Sequence, residues 1–395
     1  MKGYDVIVAG AGPAGSTAAA LLARHGCSVL LVDRQRFPRQ KTCAGWVNRL
    51  AFERFDYLRR RLDTLVETPF SGITFLTADL RGRAAISDER ISGYLTLRDK
   101  FDDGLRRAAE EMGAEFRDGT RLEAIEQGRD GVVVTLCAGS GAHTEQQKAR
   151  ARVLVGADGA NSRVAVVGGL RPAWSPQEYA LCANEDIPAD PARVRAFYGQ
   201  QLPLLVAPRF AGVQGYGWIF AKRRHISVGI GGRMPPGIKI RELFCQFVSE
   251  ARRAGLLLAE LVPRKTAYAL DPAGAVHRGR PLARGRVLLV GDAGGFVSGS
   301  TGEGIYPGMV SAEVAAEVIR RALSGPSPEA ALAAFQQAWK RELDDYLRPL
   351  PGGDRVRQTQ ARLDLVFRYP WVARIAARAF LYGEPLSLRT ALRAW

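Results

Sequence analysis

The stretch Asp5-Val-Ile-Val-Ala-Gly-Ala-Gly-Pro-Ala-Gly15 decides the fold of the first part of this chain. Its apolar start runs into a G-x-G-x-x-G turn, and a helical pattern rich in Ala and Leu follows from Ser16 to Arg24. A second apolar run, residues 28–32, ends in Asp33. Strand, glycine turn, helix, strand and acid in this order are typical of a βαβ unit that binds a dinucleotide.

Each residue type in this unit has a physical role. Gly10 permits a tight turn, Gly12 lets the backbone approach a pyrophosphate, and Gly15 lets the helix pack closely on the strand. The N-terminus of the helix then offers aligned N–H groups to the anion. Asp33 follows Gly10 by 23 residues, where its carboxylate can accept hydrogen bonds from ribose hydroxyls and would repel a 2′-phosphate.

The composition excludes several classes of protein. The 395 residues are long enough for two or three modules, and 47% hydrophobic and 24% charged residues are ordinary for a globular protein. Residues 1–4 lead directly into the first predicted strand, so we expect no secretory signal, and no apolar run has the length of a membrane span. Five scattered cysteines and four histidines favour a reducing cytoplasm and predict no metal site.

The formal net charge of +16 has three interpretations. The basic side chains lie on a solvated surface with no partner, attract an anionic membrane surface or an acidic protein partner, or bind nucleic acid. No nucleic-acid motif accompanies the charge, so we predict no nucleic-acid partner. We expect a cytoplasmic protein, and the second interpretation places it on the inner face of the membrane.

Strand-like and helix-like segments alternate at the start of the chain and again near its end, which predicts an α/β domain. Between about Pro172 and Pro281, short β-type runs with frequent Gly and Pro predict a separate, mostly antiparallel sheet. The remaining predicted elements are helices at 98–112, 240–258 and 310–323, strands at 131–136, 152–156 and 286–291, a turn at 138–148, and a helical tail at 327–395.

Three distant patches together resemble one class of flavoprotein. The first is the opening glycine turn with Asp33. The second, Gly156-Ala-Asp158-Gly159-Ala-Asn-Ser-Arg163, resembles the Asp-Gly motif of flavoprotein hydroxylases. The third, around Gly291-Asp292, resembles the Gly-Asp motif whose aspartate contacts the ribityl chain of FAD. Arg98, in an R-x-x-F-D pattern, is similar to the arginine near the flavin. This order resembles the PHBH-like class over most of residues 1–325, and the resemblance implies bound FAD.

Further patches resemble the geranylgeranyl reductase family. Lys41-Thr-Cys43-Ala44-Gly45 is similar to its Lys-x-Cys-x-Gly segment, which passes close to the isoalloxazine. Residues 216–231 resemble its Tyr-x-Trp-x-Phe-Pro-Lys…Val-Gly-x-Gly signature, and residues 301–305 resemble its T-G-E-G-I segment. The chain departs from the family at Ala44, Trp46 and Ala221, which leaves the substrate open.

The resemblance implies a Rossmann-like FAD-binding domain of the PHBH-like, GR2 type, an inserted mostly antiparallel β substrate domain, and a helical C-terminal region. The FAD-binding domain is expected to comprise residues 1–70, 96–170 and 282–326. The substrate-binding domain then comprises 71–95 and 171–281, and the helical region 327–395.

The same resemblance implies the site residues. Cys43, Tyr216 and Trp218 are the predicted catalytic residues, with Cys43 a candidate proton donor or a buried small apolar residue. Tyr216, Trp218 and Phe220 alternate, so they share one face of a strand and form an apolar wall. The predicted FAD-binding residues are Gly10, Gly12, Pro13, Ala14, Gly15, Asp33, Arg34, Cys43, Ala44, Gly45, Arg98, Asp158, Gly159, Gly291, Asp292, Gly302, Gly304 and Ile305.

The predicted activity is hydride transfer from reduced flavin to a C=C bond of an apolar, prenyl-like substrate. The external reductant is NAD(P)H or a reduced electron carrier. The alternative is a monooxygenase that hydroxylates an aromatic small molecule, or an aromatic side chain of a partner protein, through a C4a-hydroperoxyflavin. A flavin halogenase is disfavoured because the W-x-W-x-I-P motif is absent. A non-redox carrier that binds FAD only for stability would leave the apolar wall unused.

The tail segment around Tyr369–Leu381 has two interpretations. Arg374 and Arg378 are spaced i, i+4 with apolar residues between them, as in a helix that lies at a lipid interface. The same pattern fits a helix packed on the domain, and we favour the packed helix.

Overall fold

The structure is a computed structural model that describes residues 1–87, 90–139, 145–235, 237–348 and 363–384. Its strands are β1 Gly3–Ala9, β2 Val29–Val32, β3 Trp46–Asn48, β4 Val66–Phe70, β5 Ile73–Leu76, β6 Arg83–Ile86, β7 Gly93–Thr96, β8 Glu115–Arg117, β9 Thr120–Gly128, β10 Gly131–Ala138, β11 Glu145–Gly156, β12 Ala180–Pro188, β13 Leu204–Pro208, β14 Gln214–Ala221, β15 His225–Arg233, β16 Ala267–Asp271, β17 Ala283–Arg284 and β18 Val287–Leu289. Its helices are α1 Pro13–Arg24, α2 Arg49–Arg54, α3 Asp56–Arg59, α4 Leu62–Leu65, α5 Arg98–Glu111, α6 Arg163–Val167, α7 Pro191–Tyr198, α8 Ile240–Arg253, α9 Ile305–Ser324, α10 Pro328–Ala333, α11 Phe335–Ala338, α12 Lys340–Leu347 and α13 Pro370–Tyr382.

The first sheet has eight strands, and its main path runs β17-β18-β11-β1-β2-β8. Strands β18, β11, β1, β2 and β8 are parallel, while the β9–β10 hairpin joins through β11. Both faces of β1 are buried: Val6 and Val8 face a core shared with α1, α5 and α9, and Ile7 and Ala9 face the β9–β10 side. Burial on both faces explains why β1 is a continuous apolar run.

The second sheet has seven strands in the order β16-β12-β15-β14-β13-β5-β6. Its pairings are antiparallel, with the exception of β13 with β5. The prediction of a mostly antiparallel sheet is therefore confirmed. One face packs on α8, where Phe247 lies over Gly217 and shares a buried core with Ile219 and Val228. The other face carries Trp218 and Phe220. Strands β3, β7 and β4 form a third, small sheet.

The predicted bounds differ most from the structure at three places. The hairpin strands are longer than predicted, because β11 already begins at Glu145, opposite Ala138. Residues 140–144 of the predicted turn lie outside the described ranges. Helix α8 ends at Arg253, before the turn at Ala254-Gly255. Helix α9 begins at Ile305 rather than at residue 310, since Ile305 and the four residues that follow it are buried and continue the helix.

The sheets support the predicted domain division, which we retain as a proposal. Strands β5 and β6 come from the inserted segment 71–95 and join the seven-stranded sheet. Strand β7, at the end of that segment, pairs instead with β3 and β4.

Helix α13 in the tail packs on the seven-stranded sheet. Ala373, Ala377 and Leu381 are buried there, and Phe380 stacks on Trp46 with ring centroids 5.3 Å apart. The packed interpretation of this segment is therefore confirmed. None of the helices in the described part of the chain is long and apolar enough to cross a bilayer.

Candidate active site

A cavity of about 1860 Å³ lies between the two large sheets and extends to α13. Pockets for drug-sized ligands have volumes of about 300–1,000 Å³, so this cavity has room for a dinucleotide and a second molecule. Of the predicted site residues, those that line it are Gly10, Gly12, Pro13, Ala14, Asp33, Arg34, Cys43, Ala44, Arg98, Asp158, Gly159, Tyr216, Trp218, Gly291, Asp292, Gly302, Gly304 and Ile305. Gly15 and Gly45 lie behind the lining: a Cβ at Gly15 would overlap the Gly10 carbonyl oxygen, and one at Gly45 would overlap that of Thr96.

The opening glycine turn forms one end of the cavity. Gly10 has a φ of 103° and presses against Ala157, which leaves no space for a side chain. Helix α1 begins immediately afterwards, at Pro13. Asp33 accepts hydrogen bonds from the backbone N–H groups of Ala11 and Gln35, each at 2.8 Å. Each carboxylate oxygen retains a further lone pair, so Asp33 fixes the turn and can still accept a hydroxyl.

The Gly-Asp turn packs directly on the opening turn. Gly291 has a φ of 58°, and a Cβ there would lie 2.8 Å from the Cβ of Ala14. Asp292 faces the cavity, with its Oδ2 3.8 Å from Nζ of Lys41. The N-terminus of α9, at Gly304, lines the same wall and places a positive helix end there.

Asp158 uses its carboxylate within its own turn. Its Oδ1 accepts from the Ser162 hydroxyl at 2.5 Å, and its Oδ2 accepts from the N–H groups of Arg163 and Val164 at 2.7 and 3.1 Å. Burial raises the pKa of Asp158 even though these hydrogen bonds oppose the shift. Asp158 therefore shapes the loop at the N-terminus of α6.

Arg98 belongs to a buried charge network beside Cys43. It donates two hydrogen bonds of 2.7 Å to Asp102, and Arg39 lies 2.9 Å from the same carboxylate. Burial alone would raise the pKa of Asp102, but the two guanidiniums hold it below its usual value. Arg98 also contacts the Cys43 side chain, and the Cys43 carbonyl accepts from Asn184 at 3.1 Å.

The far end of the cavity is apolar. Tyr216 and Trp218 line it, with ring centroids 5.8 Å apart, and Phe380 of α13 lies 5.3 Å from Tyr216. The Tyr216 hydroxyl donates to the Thr301 carbonyl at 2.5 Å, which fixes its ring. Phe220 shares the face, as predicted, but it is fully buried behind the lining.

Two acidic side chains at the cavity were missed by the sequence analysis. Burial raises the pKa of Asp271 to about 8; Asp292 adds to the increase and Lys41 opposes it. Burial raises the pKa of Glu303 to about 7, although the hydrogen bond from Tyr346 opposes the shift. The sequence contains one signal for Asp271: it is a single acidic residue at the end of an otherwise uncharged strand, directly before Pro272.

The lining fits FAD. Two glycine turns and two helix N-termini meet in one cavity, with Asp33 near the first turn and Asp292 in the second. Gly12 is open on the cavity side, where the nearest atom to an added Cβ is the Arg39 guanidinium at 3.5 Å. Backbone N–H groups at such a turn suit the pyrophosphate, and the carboxylates suit hydroxyl groups.

Comparisons with known proteins agree with this geometry. The FAD binding domain family matches residues 3–209. The chain is 31% identical to digeranylgeranylglycerophospholipid reductase 1 of Methanopyrus kandleri, over 87% of each protein. It is 30% identical to geranylgeranyl diphosphate reductase of Rhodobacter capsulatus, over 82% of this chain and 77% of the relative. A solved geranylgeranyl bacteriochlorophyll reductase-like protein of Thermoplasma acidophilum shares the fold, with a TM-score of 0.75, 19% identity, and coverage of 100% of this chain and 96% of that one.

The protein is an FAD-dependent oxidoreductase of PHBH-like fold. Within that class, the chain belongs to the geranylgeranyl reductase family. The predicted family, fold class and cofactor are confirmed.

Proposed function

We propose that this enzyme reduces a C=C bond of an apolar, prenyl-like substrate with a hydride from reduced FAD. The observation that carries the proposal is the continuity of the cavity, which runs from the two glycine turns to the aromatic wall of Tyr216, Trp218 and Phe380. An apolar wall of this kind fits a hydrocarbon chain and excludes water. The two relatives described above are named for the reduction of geranylgeranyl groups.

The predicted cofactor residues are proposed to hold FAD, which supplies the hydride when it is bound and reduced. The N–H groups at the start of α1 bind the pyrophosphate, and Asp33 and Asp292 accept hydroxyl groups. Arg98, fixed by Asp102, contacts Cys43 and would hold the Cys43 segment in place for FAD. Tyr216 and Trp218 orient the alkene and keep its surroundings dry.

Anaerobic reoxidation tests this function. The FAD-loaded enzyme is reduced with dithionite, freed of excess reductant, and mixed without O₂ with geranylgeranyl diphosphate, which the second relative's name suggests. We expect the oxidised flavin spectrum to return and the product to gain two hydrogen atoms per turnover. Reoxidation that requires O₂, with a product heavier by one oxygen atom, would instead establish the monooxygenase alternative and refute the reductase. NADPH, NADH and reduced ferredoxin, compared as electron sources, identify the donor.

We also propose that the rim beside α13 docks on an anionic membrane surface. Leu365, Tyr369 and Trp371 are large, exposed apolar side chains at this rim, and Trp371 is 45% exposed. Arg368 and Arg374 are exposed beside them, in a chain of net charge +16. Apolar insertion next to cations is the chemistry of a lipid interface, and Leu365 also lines the cavity, so a lipid substrate would enter there.

Liposome sedimentation tests the membrane proposal. Binding to phosphatidylglycerol vesicles should fall as salt rises, should be absent on phosphatidylcholine, and should weaken in Trp371→Ala. Phe197→Ala is the matched control, because Phe197 is 40% exposed but lies on α7, outside the cavity lining. Equal loss of binding in both variants would contradict docking at the α13 rim.

A further inference from the structure

Asp271 lines the cavity. It ends strand β16, and a Cβ at Gly302 would lie 3.0 Å from its Oδ2, so the carboxyl lies beside the loop that leads into α9. The same loop contacts the aromatic wall, because the Tyr216 hydroxyl donates to the carbonyl of Thr301, the residue before Gly302. Asp271 therefore lies close to the loop before α9 and to the apolar end of the cavity.

One oxygen of the Asp271 carboxyl differs from those of the other acids at or beside the cavity. Among the residues that the structure describes, its buried Oδ1 has no hydrogen-bond partner, whereas Asp33, Asp102 and Asp158 each accept two or more hydrogen bonds. A buried carboxylate without partners is costly, so the side chain is held in its neutral, proton-bearing form. The charged and titratable groups that interact with it are Lys41, Asp292, Cys182 and Tyr216.

We propose that Asp271 donates the proton to the alkene carbon that does not receive the hydride. This inference rests on the proposed function. The π bond of the substrate breaks, one carbon gains the hydride and its electron pair, and the other gains the proton from the Asp271 O–H bond. The substrate is thereby reduced by two electrons, the flavin is oxidised by two, and Asp271 is left as a carboxylate that recovers a proton from water.

This assignment replaces Cys43 as the proton donor. The Cys43 side chain contacts the Arg98 guanidinium, and its sulfur accepts the Gly45 N–H at 3.4 Å, so it is engaged on the flavin side. Asp271, in contrast, lines the cavity with a buried carboxyl oxygen that is not used in a hydrogen bond among the described residues, so a proton on this carboxyl can be given to a substrate. Asp271 is thus the better-placed general acid.

The first test observes the proton directly. Infrared difference spectra of FAD-loaded and FAD-free protein, titrated from pH 6 to pH 10, should show the C=O stretch of a protonated carboxyl that disappears near pH 8. That band should be missing in Asp271→Asn. Persistence in the variant of the component that titrates near pH 8, as distinct from that of Glu303 near pH 7, or its absence from the unmodified protein at pH 7, would overturn the proposal.

The second test separates Asp271 from the flavin and from Cys43. In anaerobic single turnovers with geranylgeranyl diphosphate, Asp271→Asn should slow reoxidation about 10²–10⁴-fold and abolish its fall above about pH 8. Its FAD affinity and flavin reduction potential should match the unmodified enzyme, while Cys43→Ser should retain the pH dependence. An unchanged rate in Asp271→Asn, or a shifted potential that accounts for the slowing, would refute the donor role. If the unmodified enzyme itself is not reoxidised, the proposed function fails, and the infrared band reports separately on Asp271.

Discussion

Asp271 should cost the protein stability at neutral pH. Its pKa is raised from 3.8 to about 8, chiefly by burial. A raised folded-state pKa means that the contribution to stability is fully present below about pH 4 and is lost as the pH rises toward 8, because the unfolded state releases its proton earlier. Above pH 8 both states are ionised and the loss levels off. Asp271→Asn removes the titrating group and should therefore stabilise the protein increasingly between pH 4 and pH 8.

The magnitude follows from the shift. At about 1.36 kcal/mol per pKa unit, the cost of Asp271 is about 2 kcal/mol at pH 5 and about 4 kcal/mol at pH 7. Water that reaches the half-buried side chain screens part of this cost, so both are upper values. With an unfolding entropy of about 2.1 cal/mol/K per residue, the melting temperature of the variant should rise by up to about 2 °C at pH 5 and about 5 °C at pH 7.

Thermal unfolding of the FAD-free and FAD-loaded proteins at pH 5, 7 and 9 measures this effect. Asp130→Asn is the matched control, since it removes the same charge from a side chain that is 86% exposed and should change the melting temperature little at any pH. A difference between Asp271→Asn and the unmodified protein that is equal at pH 5 and pH 9 would refute the reasoning. With the loss of turnover expected above, a positive result would mark Asp271 as a residue where stability is sacrificed for function.

Three further changes have defined outcomes. Gly15→Val places a side chain on the Gly10 carbonyl and should abolish FAD binding, measured by flavin absorbance after gel filtration; normal FAD content would contradict it. Lys222→Met leaves Asp186 without its 2.7 Å partner and should destabilise the protein by about 3 kcal/mol in urea unfolding, whereas an unchanged midpoint would show that the pair is dispensable. Phe380→Ala should raise KM for the prenyl substrate several-fold at unchanged FAD affinity; equal loss of both would assign Phe380 to folding instead.

The local motifs could be predicted from the sequence because each is formed by residues that are neighbours along the chain. A strand that enters a tight turn, a helix that starts against it and an acid after the next strand are all encoded within residues 5–33. The Gly291-Asp292 turn could be paired with them only through the family resemblance. The structure gives the physical reason for the pairing, because Gly291 needs the space beside Ala14.

The tertiary structure decided which carboxyl groups are neutral and which are paired. Two arginines hold Asp102 ionised. Burial keeps Asp271 protonated, since its Oδ1 has no hydrogen-bond partner in the described part of the chain. Phe380 likewise reaches Tyr216 from 164 residues away in the sequence. The sequence by itself determined the dinucleotide turn and the family, since these depend on neighbours along the chain. Only the fold decided the acid and the apolar wall, since burial and partners at those positions come from distant segments.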